Sequence, residues 1–131
     1  QRLDNCESEE ELVAMRQELA DRFGPLPQPV EDLFITVRCR KLAVELGFEK
    51  MSLKDHTLRC FFINRPDSPY FESGVFQKII SFLQTATNKG KLKQTGKLFL
   101  LVAEDMQGME PMHRFLKQMH AYCLVDNRVI S

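Results

Sequence analysis

The chain has 131 residues, which suits a single domain, and its 44% hydrophobic content supplies a core of ordinary size. Eighteen basic residues balance eighteen acidic ones, so no global field draws the chain to nucleic acid or to an anionic membrane. No apolar run approaches the ~18–20 residues of a membrane span.

The charge balance hides an uneven distribution: residues 1–24 carry seven acids against three bases, whereas residues 76–97 carry five lysines and no acid. The four cysteines, Cys6, Cys39, Cys60 and Cys123, lie far apart, with no C-x-x-C pair and no secretory h-region within the sequence. Reduced thiols and a cytoplasmic setting are the expectation. Because the sequence opens on Gln1 without a methionine, it is expected to be a piece of a longer protein.

Ser8-Glu9-Glu10-Glu11 fits a capping box, in which the Ser8 hydroxyl accepts a free backbone N–H and Glu11 reaches back to the cap. The first helix is therefore expected from Glu9. Leu12, Met15, Leu19 and Phe23 recur at helical spacing as one apolar stripe, and Gly24-Pro25 stops the helix. Leu26-Pro27-Gln28-Pro29 makes a stiff corner, and Pro29 suits the first turn of a second helix because its missing N–H would lack a partner there. That helix runs to Gly47. Val30, Leu33, Phe34, Val37 and Val44 mark one face and Ile35, Leu42 and Leu46 another, which predicts core on two sides and the most buried element of the fold.

Residues 48–52 and 57–63 flank Lys54-Asp55-His56 as a hairpin. The stretch 64–70, with Pro66 and Pro69, reads as a loop, and a third helix over 73–87 carries a wide apolar arc of Val75, Phe76, Ile79, Ile80, Phe82 and Leu83. After Asn88-Lys89-Gly90, residues 91–94 and 97–103 form a second hairpin turning at Thr95-Gly96. The wholly apolar run 98–102 suits a central strand. A last helix over 110–123, with Pro111 in its first turn, places Met112, Phe115, Leu116 and Met119 on one face. Beyond Leu124 the chain is expected to fray. The order helix, helix, hairpin, helix, hairpin, helix predicts one α+β domain over 1–124, with a small, mainly antiparallel sheet packed with helices.

Chemistry is sparse. Gly90-Lys-Leu-Lys-Gln-Thr-Gly96-Lys97 superficially resembles a phosphate loop, but five residues separate the glycines, Leu98 stands where a Ser or Thr would hold magnesium, and a strand follows instead of a helix. Lys89, Lys91 and Lys93, with Lys97, could serve a nucleic-acid groove; without interleaved aromatics, lysines guarding a sheet edge are the plainer reading. His113 and His120 are seven apart rather than at the three or four of helical metal sites. Cys39 and Cys60 sit in apolar patterns and read as packing residues. No catalytic, metal or cofactor site is expected.

The acidic face of the first helix is the best remaining candidate. Glu10, Glu11, Ala14, Glu18 and Asp21 lie opposite Leu12, Met15 and Leu19. Glu10 and Glu11 complement the helix dipole, but Glu18 and Asp21 lie near the C-terminal end, where negative charge is mildly unfavourable. Arginines on a partner would be the complementary chemistry.

The string Glu18-Leu-Ala-Asp-Arg-Phe-Gly-Pro-Leu-Pro-x-Pro-Val30, with Ser8-Glu-Glu-Glu-Leu12 before it and Arg38-x-x-x-Leu-Ala-x-Glu-Leu-Gly47-Phe-Glu-Lys50 after it, resembles the C-terminal domain of bacterial transcription-repair coupling factors. The resemblance implies a non-catalytic, autoinhibitory module that packs on an N-terminal UvrB-like domain and hides the surface recruiting the repair protein UvrA. RNA polymerase and DNA are then engaged only through the full-length translocase, whose other domains use ATP and magnesium. Glu18 and Asp21 fall where this family places acids that pair with arginines on the UvrB-like domain, and Glu11 and Ala14, on the same helix face, are expected to share in partner binding. Arg22, Phe23, Gly24, Pro25 and Pro27 belong to the same motif and read as the corner that orients the helix. A DNA-contacting accessory domain using the 89–97 lysines is the alternative.

Overall fold

The computed structural model describes residues 8–85 and 90–125. Helix α1 (Glu9–Phe23) starts as its cap requires: Ser8 Oγ accepts the Glu11 N–H at 3.2 Å and donates to Glu11 Oε1 at 3.3 Å. It ends at Gly24, whose φ of 80° and ψ of −163° suit glycine alone. Helix α2 (Gln28–Leu46) follows directly, with the Pro27 carbonyl accepting from the Val30 and Glu31 N–H groups at 3.0 and 3.1 Å. It closes at Gly47, at φ 97°, where the Tyr70 ring occupies the space that a Cβ would need. The Tyr70 hydroxyl donates to the Leu46 carbonyl at 2.6 Å and ties this helix end down.

Strands β1 (Phe48–Lys54) and β2 (Thr57–Phe62) form the first hairpin around Asp55 and His56, both at positive φ (53° and 59°), as the favoured two-residue turn demands. The expected loop over 64–70 leads into a 3-10 turn at Pro69–Glu72, begun by Ser68 Oγ accepting the Tyr70 N–H and by the fixed φ of Pro69. Helix α3 (Gly74–Leu83) is capped by Ser73 and is shorter than expected; residues 86–89 lie outside the described residues. Strands β3 (Gly90–Thr95) and β4 (Leu98–Ala103) pair Thr95 with Leu98. Their turn is therefore Gly96-Lys97, one residue later than expected, with Gly96 at φ 61°. Helix α4 (Met109–His120) gives way to a π turn at Ala121–Val125 instead of continuing to Cys123. The tail expected to fray falls on residues 126–131, outside the described residues.

The four strands are all antiparallel in the order β1-β2-β4-β3, with apolar β4 inside the sheet as its composition predicts. The result is an α+β fold. The main core lies between one sheet face, carrying Leu58, Cys60, Phe62, Leu101 and Ala103, and the inner faces of α2, α3 and α4. Phe62 is its aromatic centre, with ring centroids 4.9 Å from Phe48, 5.0 Å from Phe99 and 5.4 Å from Phe76.

Helix α2 does have core on two sides: its opposite face joins a second, small cluster of Leu12, Phe34 and Val37, flanked by Met15, Leu19, Leu26 and Val30. It is not the most enclosed element, however, because Leu33 and Val44 are 54% and 66% exposed, whereas no residue of β2 is exposed. Val44 lies beyond Arg38, the α2 residue that Glu9 at the start of α1 meets. Phe23, expected in the apolar stripe, is 72% exposed for a related reason: the chain turns through Pro25 and Pro27 before α2 begins, which leaves nothing opposite it.

Candidate functional site

Helix α1 is held on α2 by the small cluster and by two arginine–carboxylate pairs. Arg16 donates to Glu31 at 2.8 Å (Nε–Oε1) and 2.5 Å (Nη2–Oε2), and Arg38 donates to Glu9 at 3.0 Å (Nε–Oε1) and 2.8 Å (Nη2–Oε2). The Arg16 hydrogen bonds hold the Glu31 carboxyl below its ordinary pKa against the opposing effect of burial. Sequence reasoning missed these four residues, and no local pattern could have found them, because the pairs join positions 15 and 29 residues apart.

Glu9 pairs with Arg38, and the predicted residues lie on the outer side of α1. Glu11, Ala14, Glu18 and Asp21 succeed one another at steps of three and four residues, so they share one strip along the helix. Glu11, Ala14 and Asp21 are exposed and Glu18 is half-buried. Asp21 accepts from the neutral Gln17 amide at 3.0 Å. Gly24, Pro25 and Pro27 build the corner; Arg22 and Phe23 stand at its exposed rim, with the Arg22 guanidinium 5.8 Å from the Phe23 ring centre.

Other candidates are placed apart from one another. The glycine-lysine segment at 90–97 is strand β3 and its turn, a geometry that offers no helix N-terminus to a phosphate. Lys91, Lys93 and Lys97 are exposed there, and Lys89 lies outside the described residues. His120 Nε2 meets Glu45 Oε1 at 2.5 Å, whereas His113 faces a groove of about 540 Å³ lined by Glu9, Arg38, Lys41 and Lys117. Burial, then the Lys117 and Arg38 charges, lower the His113 pKa.

Cys39, Cys60 and Cys123 are free and fully buried, and burial pushes the Cys39 and Cys60 thiols up to about 12, so neither offers a thiolate nucleophile. Among the described residues no three His, Cys, Asp or Glu side chains converge as a metal site, and no helix is long and apolar enough to cross a membrane.

These features define a small α+β domain whose distinguishing chemistry is on its surface, in an acidic helix docked on a helix-covered antiparallel sheet. Residues 1–73, more than half of the chain, match the TRCF domain family, and the chain belongs to that family. It is 29% identical over 97 residues to the transcription-repair-coupling factor of Rickettsia conorii, covering 74% of this chain and 8% of that protein. It is also 32% identical over 82 residues to that of Borreliella burgdorferi, covering 63% of this chain and 7% of the relative. The chain thus spans under a tenth of the length of these relatives. The fold is that of a crystal structure of the C-terminal domain of transcription-repair coupling factor, with a TM-score of 0.69 at 17% identity, covering 93% of this chain and 76% of that one.

Proposed function

We propose that this domain is a non-catalytic, autoinhibitory clamp within a transcription-repair coupling factor. The strip of Glu11, Ala14, Glu18 and Asp21 docks on a basic patch of the UvrB-like N-terminal domain of the same polypeptide and so masks the UvrA-binding surface. Small Ala14 lets a partner approach the helix closely, while the carboxylates offer acceptors to arginine forks. ATP hydrolysis with magnesium, and translocation on DNA at a stalled RNA polymerase, belong to other domains of the parent. Engagement of polymerase and DNA releases the clamp; exposed ion pairs contribute only about 0.2–1 kcal/mol each, so such an interface opens readily.

The observation that carries this reading is the division of labour on α1. Its inner acid Glu9 is held by Arg38, while Asp21 on the outer strip forms no ion pair among the described residues and accepts only from the Gln17 amide. The test is binding in trans of this chain to the isolated UvrB-like domain. Asp21→Lys is expected to weaken the complex, and more so with Glu18→Lys, and to leave the fold intact; undiminished binding overturns the proposal.

A further inference from the structure

The sheet has a second face that no described helix covers. Register places Lys50, Arg59 and Phe61, with Leu98, Leu100 and Val102, on the side opposite the main core. Lys54 joins them through its pairing with Thr57, and Lys91 and Lys93 through Val102 and Leu100. Leu100 is only 5% exposed and belongs to neither buried cluster.

The pattern across the face is regular. A mainly apolar strip of Phe61, Leu98, Leu100 and Val102, with Arg59 opposite Val102, runs along β2 and β4, and lysines stand on both sides, Lys50 and Lys54 on β1 and Lys91 and Lys93 on β3. None of the strand-paired positions on this face is acidic; Glu104 and Asp105 lie past the end of β4, beside Lys91 and Val102. Among the described residues none of these lysines, nor Arg59, is held in a salt bridge. Lys50 instead places its ammonium 5.3 Å from the Phe61 ring centre.

We propose that this open face is a docking platform for an amphipathic helix whose apolar stripe is bordered on both flanks by Asp or Glu. Three strand spacings of about 4.8 Å set the two lysine rows about 14 Å apart. A helix about 10–12 Å across fits between them, apolar side down, with its flanking carboxylates reaching both rows. The aliphatic floor favours this occupant over single-stranded nucleic acid, which needs aromatic rings for its bases: the strip offers Phe61 alone, and Lys50 already sits over it. The site is distinct from the α1 strip, is opposite in charge, and does not rest on the clamp.

The test is an NMR titration of the 15N-labelled chain with two probes. One is a lactam-stapled helical peptide of about 13 residues, the length that matches a six-residue strand, with a leucine stripe and glutamates on both flanks. The other is oligo(dT). The expected result is that the peptide shifts the amides of Arg59, Phe61, Leu100 and Lys93, and that Lys91→Glu/Lys93→Glu weakens it at least tenfold. Lys50→Glu/Lys54→Glu, at the other side of the strip, is expected to do the same should the first variant fold poorly. Tighter binding of oligo(dT) on this face would make it a nucleic-acid surface and overturn the proposal. So would peptide shifts confined to the helices, or no binding of either probe.

Discussion

Leu12→Ala tests how α1 is attached. Leu12 is fully buried and is, among the described residues, one of three buried members of the cluster that joins α1 to α2. Truncating a buried leucine costs about 2–5 kcal/mol, the sum of lost transfer energy and the cavity left behind. Here the cavity walls include half-buried Met15, Leu19 and Val30, which can move inward, so the lower part of that range, about 2–3 kcal/mol, applies. The main core shares no fully buried residue with this cluster, so the loss should appear as local undocking of α1. Native-state hydrogen exchange reads this directly. Amide protection within α1 should fall by about 30- to 150-fold, the equivalent of that energy, while the amides of Cys60 and Leu101 hold theirs. Equal loss of protection in α1 and in the sheet would refute the reasoning, since the two clusters would then unfold as one.

Gly47→Ala is expected to lower the urea midpoint more than Gly96→Ala. Both glycines sit at positive φ (97° and 61°), where an alanine costs about 1–3 kcal/mol of backbone strain, but only Gly47 has the Tyr70 ring against it while Gly96 faces open space. Equal costs would show that Tyr70 does not constrain this corner. The lowered pKa of His113 predicts acid sensitivity: the unfolded chain takes up this proton first, so stability is fully present above the ordinary value of 6.5 and declines as pH falls toward the folded value. His113→Gln should therefore lose less stability than the parent chain between pH 7.5 and 5.5, the window just above and below that value, in denaturant titrations. An unchanged loss assigns the sensitivity to other groups.

What the sequence disclosed follows the range of the forces involved. The Ser8 cap, the Asp55-His56 turn, the apolar arc of α3 and the Met112 to Met119 stripe are local patterns, and each forms where its spacing places it. The fates of Phe23, Leu33 and Val44 depend instead on how far α1 extends over α2, which helical periodicity does not encode. The Arg38–Glu9 pair likewise arises only once the corner folds the two helices together. For the candidate site, the outward strip of α1 was legible because it is a single helix face. The open sheet face was not, since alternation in β2 separates Arg59 and Phe61 from Cys60 and Phe62 but cannot reveal that β4 and β3 extend the same surface.

The clamp itself is tested most directly by UvrA binding to the full-length coupling factor carrying Glu18→Lys and Asp21→Lys, with Asp21→Lys alone as the milder change at the more exposed position. Reversing these charges sets the strip against a basic partner, and the full-length variant is expected to capture more UvrA than the unaltered protein when polymerase and DNA are absent. UvrA binding that stays at the level of the unaltered protein, in a variant whose thermal unfolding is unchanged, would contradict the assignment of this helix face as the clamp.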